Sequence, residues 1–182
     1  MKRIIIISLL MIGFQSYSQL GYKKFYFSTG ITGQYMQAPK YTGYDFNWTF
    51  IPRYNIAELS AESTLSIEAR PQIGVGFRNW YKYRAYDETF PMRLSYALPV
   101  LMNINMGLNS EENSLYLLGF YAGVGYSYSN VISKEPPYDP IHGLVIDAGL
   151  HIDGSPISHI SAIYTIGNDG SRIYSFGFYY DF

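Results

Sequence analysis

Cysteine is absent from this chain of 182 residues. Its absence excludes disulfides, a lipid-bearing cysteine anchor, thiolate metal sites and a cysteine nucleophile. Charge is scarce too: Asp, Glu, Lys and Arg make up 15%, against roughly 25% in an average soluble domain. Lys and Arg number 13 and Asp and Glu 14, so no basic field is present to attract nucleic acid. Long apolar runs are also missing. The longest, Ile4 to Phe14 with Ser8 inside it, covers about half of the ~20 residues that a membrane helix needs. Mean hydropathy is -0.05, too low for a bundle of such helices. What the chain does hold is aromatic: 20 Tyr, 11 Phe and 2 Trp make up 18% of it. Many aromatics at near-zero hydropathy require a pattern that separates apolar from polar side chains.

The beginning of the chain reads as an export address. Met1-Lys2-Arg3 is basic, the stretch to Phe14 is apolar, and Ser16 and Ser18 fit the -3 and -1 positions of a signal-peptidase site before Gln19. The expected organisation is a cleavable signal peptide, residues 1–18, followed by one domain, residues 19–182.

Period two dominates that domain. From Met92 to Met106 every even position is apolar, from Met92, Leu94 and Tyr96 through Val100 to Ile104 and Met106. The odd positions are Arg93, Ser95, Ala97, Pro99, Leu101, Asn103 and Asn105, and only Leu101 is large and apolar. That is a strand with one uncharged apolar face. The alternation recurs over 45–56, 63–78, 116–128, 144–152 and 174–182, and more weakly over 24–37 and 158–167. Gly119 and Gly123 have the spacing of a membrane-helix dimer motif, but strict alternation around them makes this a glycine-bearing strand. Eight strands allow about 20 residues for each strand and connection, ample for the roughly 9–11 that cross a membrane. The expected fold is all-β, an eight-stranded antiparallel up-and-down transmembrane β-barrel. Val100 and Phe120 are expected near mid-membrane. Pro52, Pro71 and Pro99 lie inside strands, where a missing donor demands a bulge or break whose position the pattern does not give.

Connections alternate in length. Those near 59–61, 110–112 and 153–155 are compact, while 79–91 and 129–142 are long, so the long ones are expected to be extracellular and the short ones periplasmic. The connections near 39–43 and 168–170 are short and fall on the extracellular side.

Four stretches carry a family resemblance. Gln19 follows the cleavage site; Pro52-Arg53-Tyr54-Asn55 precedes Leu65-Ser66-Ile67-Glu68; Phe120 to Tyr126 is rich in Gly and aromatics; and the chain ends Phe176-Gly177-Phe178-Tyr179-Tyr180-Asp181-Phe182. Together they resemble the outer-membrane β-barrel domain family common in Bacteroidetes. The resemblance implies a bacterial outer-membrane location and no cofactor. It also implies that Phe178, Tyr180 and Phe182 form an insertion signal read by the barrel-assembly machinery. The family shares no catalytic residues to carry over.

Parity points Arg53, Glu68, Arg70, Arg93 and Asp147 inward, where confined charges persist only if paired and hydrogen-bonded. Asp147 is expected to meet the Arg53–Arg70 cluster and plug the lumen. His159 and Ser161 form a His-x-Ser pair similar to that of outer-membrane lipid A deacylases. Here Ala162 replaces the Asn usual in that family, and parity turns the pair away from lipid. His151 and His159 amount to half a metal site, with no carboxylate clearly placed to join them. The stretch Arg78 to Tyr86 contains Trp80, Tyr81, Lys82, Tyr83, Arg84 and Tyr86. Two roles fit it: interfacial anchoring, or a platform for glycan, lipopolysaccharide or protein.

The expected function is an integral outer-membrane protein with a structural, surface-binding or complex-subunit role. It would present 79–91 and 129–142 from a plugged barrel. Expected partners are outer-membrane lipid and lipopolysaccharide, the assembly machinery and another outer-membrane protein. A lipid-modifying enzyme built on His159 and Ser161 and a small-solute channel are the competing classes.

Overall fold

Strands apolar on one face and small or polar on the other satisfy both faces when an antiparallel sheet closes on itself. The computed structural model describes residues 25–60, 62–80, 92–107, 117–132, 139–153 and 157–182. Nine strands form among them: β1 Phe25–Gln37, β2 Tyr41–Ser60, β3 Ser63–Ala69, β4 Gln72–Trp80, β5 Met92–Gly107, β6 Leu118–Ile132, β7 Ile141–Ile152, β8 His159–Gly167 and β9 Arg172–Asp181. All paired neighbours are antiparallel. β9 pairs with β1 from Ser28↔Asp181 to Gln37↔Arg172 and closes the ring. Both β3 and β4 lie between β2 and β5. They are two halves of one stave, so the ring has eight staves and is an up-and-down barrel. Residues 1–18 lie outside the described residues.

Several strands run further than alternation alone suggested. β2 spans Tyr41–Ser60 rather than 45–56, β6 continues to Ile132, and β7 begins at Ile141. Asn79 and Trp80 therefore belong to β4, and 129–132, 141 and 142 are strand rather than loop. The two long connections shrink to 81–91 and 133–140. Polar and small residues at strand ends weaken the alternation there, while the ladder hydrogen bonds continue. Phe120 also sits two residues from the start of β6, not at mid-stave. Val124, paired with Met102 and Ile146, is nearer the centre.

The prolines share one discontinuity. β2 pairs with β4 up to Thr49↔Gln72 and with β3 from Arg53↔Glu68. β5 pairs with β4 up to Gln72↔Ala97 and with β3 from Ala69↔Val100. Between those registers lie Arg70 and Pro71, flanked by Pro52 and Pro99. Phe50 N–H donates to the Pro71 carbonyl at 3.1 Å, and Arg70 N–H to the Pro99 carbonyl at 2.8 Å. The N–H and C=O of a strand residue point to the same neighbour, and residues two apart share that direction. The missing donors of Pro52 and Pro99 therefore both face the broken stave. A closed barrel has gathered three ladder defects into one. Two further register shifts, at Asn55/Ala57 and Glu58/Ser60, bulge the far end of β2.

Outside, the apolar set faces away from the lumen: Phe46, Trp48, Ile73, Leu98, Val100, Met102, Val124, Ile146, Phe176 and Phe178 are all exposed. Such a belt is far larger than the apolar patches of soluble monomers. Aromatics frame it. At the upper rim, where 38–40 join β1 to β2 and 168–171 join β8 to β9, Tyr35 meets Tyr44 at 5.1 Å and Tyr174 at 6.3 Å, and Tyr96 meets Tyr128 at 6.0 Å. At the lower rim, which carries Phe25 and Phe182, Phe25 meets Tyr54 at 4.7 Å and Phe27 meets Phe50 at 5.9 Å. Inside, Met36, Ala38, Tyr41, Val131, Ile141 and Ile173 form a buried apolar cluster at the upper mouth, and Leu101, Val145 and Ile163 a second one deeper in.

Candidate functional site

The lower and middle lumen is polar and centred on Arg70, which is fully buried. Arg70 enters from the broken stave. Its Nε pairs with Glu68 Oε1 and its Nη2 with Asp147 Oδ2, so one guanidinium bridges β7 to the opposite side of the ring. Nη1 also donates to Ser161 Oγ at 3.2 Å and Nη2 to the Tyr121 hydroxyl at 3.4 Å. Asn103 Nδ2 donates to Glu68 Oε2 at 3.2 Å. Two tyrosine rings flank the cation, Tyr121 at 5.8 Å and Tyr179 at 5.9 Å. Glycine makes their room: a Cβ at Gly177 would collide with the Tyr179 hydroxyl, and one at Gly149 with that of Tyr121.

Arg53 lies directly across from Glu68 in register, yet its guanidinium reaches elsewhere. Nη1 donates to His151 Nε2 at 3.1 Å and to Asn105 Oδ1 at 3.5 Å, and the group lies 4.2 Å from the Tyr26 ring centroid. Because arginine only donates, His151 Nε2 is an acceptor. Its proton sits on Nδ1, which faces Asp181 Oδ2 at 3.8 Å. Arg93 is half-buried, higher in the barrel. Register places Arg93 and buried Asp45 on either side of Gly76. The structure thus joins Glu68, Arg70 and Asp147, sets Arg53 beside them with its own partners, and leaves Arg93 in a separate upper layer.

His159 and Ser161 are both buried in the lumen. His159 Nε2 is 2.5 Å from the Tyr121 hydroxyl, while Ser161 Oγ contacts Arg70 and, at 3.3 Å, Tyr179. Neither imidazole nitrogen of His159 takes Ser161 as its partner. The His151 and His159 rings are 4.7 Å apart, but His151 Nε2 faces a guanidinium. Among the described residues no group of three ligating side chains could hold a metal.

At the upper rim, Lys40 Nζ pairs with Asp139 Oδ2 at 2.9 Å. That hydrogen bond and charge raise the Lys40 pKa above its ordinary value. His142, outward on β7, lies 2.6 Å from the Tyr126 hydroxyl and 3.1 Å from Asn168 Nδ2. Trp80 ends β4, whereas Tyr81, Lys82, Tyr83, Arg84 and Tyr86 lie outside the described residues. Phe178 and Tyr180 face outward on β9, and Phe182 stacks on Phe27 at 6.3 Å.

Parity within 116–128 and 174–182 puts Tyr121 and Tyr179 on the inner face but gives them no role, and Asp45 is not among the inward charges it singles out. Extending the parity of Asn47 and Thr49 by one step would have placed Asp45 inside. The partners of Tyr121 and Tyr179 depend on glycines two staves apart, which no local pattern links.

No protein-family model matches the chain, and no curated protein is similar to it. Its fold is similar to that of solved bacterial outer-membrane barrels. One is Ail, the attachment invasion locus protein of Yersinia pestis, in complex with the heparin analogue sucrose octasulfate. It shares 13% identity at a TM-score of 0.57, over 87% of this chain and 97% of that one. A second structure of the same Yersinia pestis protein gives 13% identity and a TM-score of 0.54 over the same shares.

Proposed function

We propose that this chain is an integral protein of the bacterial outer membrane, not an enzyme, that acts by presenting its upper-rim connections at the cell surface. One observation carries the reading. The lumen is filled by paired charges and capped by an apolar cluster, which leaves the exterior as the working surface. Eight staves enclose an interior that side chains just fill, which disfavours the channel class. The enzyme class loses its base and nucleophile, because His159 and Ser161 are buried and committed to other partners.

The upper rim is then extracellular, with 81–91 and 133–140 as its longest connections. The sequence from Trp80 to Tyr86, with Lys82 and Arg84 among aromatics, suits an anionic glycan or a protein partner. That Ail was solved with a sulfated heparin analogue supports trying a glycan first. Outer-membrane lipid and lipopolysaccharide surround the belt, and Phe178, Tyr180 and Phe182 serve the barrel-assembly machinery during insertion.

The test uses the folded barrel in planar bilayers and on immobilised heparin. Conductance is expected at baseline, with heparin retention falling at least about tenfold in a Lys82→Ala, Arg84→Ala variant. A gentle-detergent pull-down from outer membranes would find a protein partner lost in the same variant. A large, stable conductance in the unmodified protein would overturn the proposal.

A further inference from the structure

The outer surface at the upper rim is not uniform. Tyr44, Tyr35, Tyr174 and Tyr164 are direct cross-strand partners on β2, β1, β9 and β8. They form one unbroken outward row, with ring centroids 5.1, 6.3 and 5.0 Å apart. One step nearer the rim, in register, stand Thr42, Gln37 and Arg172. Arg172 has the outward parity of Tyr174 and is exposed. Its guanidinium has no partner among the described residues, whereas nearby Lys40 is held by Asp139. Gln37, Ala38, Pro39, Gly170 and Arg172 line a hollow of about 320 Å³ between the two short connections. Gly170 keeps one wall low: its φ is +86° and nothing lies within 4 Å of where a Cβ would stand.

An arginine at the level of an aromatic girdle sits where outer-leaflet headgroups begin. Guanidinium is the side chain suited to bidentate phosphate contact. A row of four tyrosines offers ring faces and hydroxyls, which fit a saccharide better than a small choline or glycerol headgroup. The geometry points to a binding site for the phosphorylated saccharide headgroup of an outer-leaflet glycolipid, with Arg172 on the phosphate and Gln37 and the tyrosine row on the sugar. This site is separate from the long connections 81–91 and 133–140 and rests only on the outer-membrane reading.

The test reconstitutes the barrel in phosphatidylcholine nanodiscs containing a small fraction of diphosphorylated lipid A, and counts retained lipid by native mass spectrometry. The unmodified protein is expected to retain lipid A, with at least a tenfold loss in Arg172→Gln or when the lipid A is dephosphorylated. Gln37→Ala should weaken retention less. Equal retention by Arg172→Gln overturns the site. Equal retention of phosphatidylglycerol would replace the glycolipid with any anionic lipid, and full competition by inorganic phosphate would reduce it to a phosphate site. Either result overturns the assignment. Heat-modifiable mobility, measured on every variant, reports barrel insertion separately from lipid binding.

Discussion

A guanidinium without solvent contact needs its counter-charges within reach, and Arg70 takes two, Glu68 from its own stave and Asp147 from β7. The pairs are mutually dependent, since removing the cation leaves two carboxylates confined together. Arg70→Met is therefore expected to cost roughly 3–5 kcal/mol, the cost of an uncompensated buried charge. Adding Glu68→Gln and Asp147→Asn to that variant should recover much of the loss, because a neutral set of similar volume carries no such penalty. Urea unfolding of the lipid-folded barrel measures both. Equal losses in the single and triple variants would show that Arg70 contributes packing rather than charge balance. Parity alone identified the inward charges. It did not show that Arg53 turns to His151 instead of to Glu68, its partner in register, because that choice depends on Tyr26, Asn105 and His151 from three other staves.

At the scale of the strand, alternation located all eight staves but not their ends or the division of the third. Period two sees side chains. Ends and breaks are set by backbone hydrogen bonds, whose regular ladder continues through Asn79 and Trp80 and is interrupted at Arg70 and Pro71, where single bonds to Pro99 and from Phe50 remain. The gathering of three prolines at that break has an energetic consequence. Pro99→Ala restores a donor facing Arg70 and should change stability by less than about 1 kcal/mol, the scale of one net hydrogen bond. Val124→Pro lies in an unbroken ladder between Met102 and Ile146 and should cost several kcal/mol, because lipid offers its orphaned partner nothing. The same urea titration compares the two. A comparable loss for both would mean that the break is not where the barrel tolerates its missing donors.

For the whole molecule, closure depends on one seam that joins strands far apart in sequence. β1 and β9 meet over ten register pairs from Ser28↔Asp181 to Gln37↔Arg172, so no segment can complete the ring before both strands are present. At the lower end of the seam, Phe182 N–H donates to the Phe27 carbonyl at 3.0 Å. Its ring stacks on Phe27 at 6.3 Å and meets the tilted ring of Phe50 at 6.5 Å, so it ties β9 to β1 and to β2 beyond it. Each aromatic pair contributes about 0.5–1.5 kcal/mol beyond its buried area. Phe182→Ala should therefore lower stability and slow refolding into lipid, while the backbone bond survives. Phe182→Leu should fall between, keeping apolar contact but not the ring geometry. Phe176→Leu, outward at mid-seam on the same strand, is the comparison: it changes the lipid-facing belt and leaves the clamp intact. The folded fraction in time-resolved heat-modifiable mobility reads all three. If Phe176→Leu slowed closure as much as Phe182→Ala, the seam would owe nothing special to its lower end, and Phe182 would be one more residue of the belt.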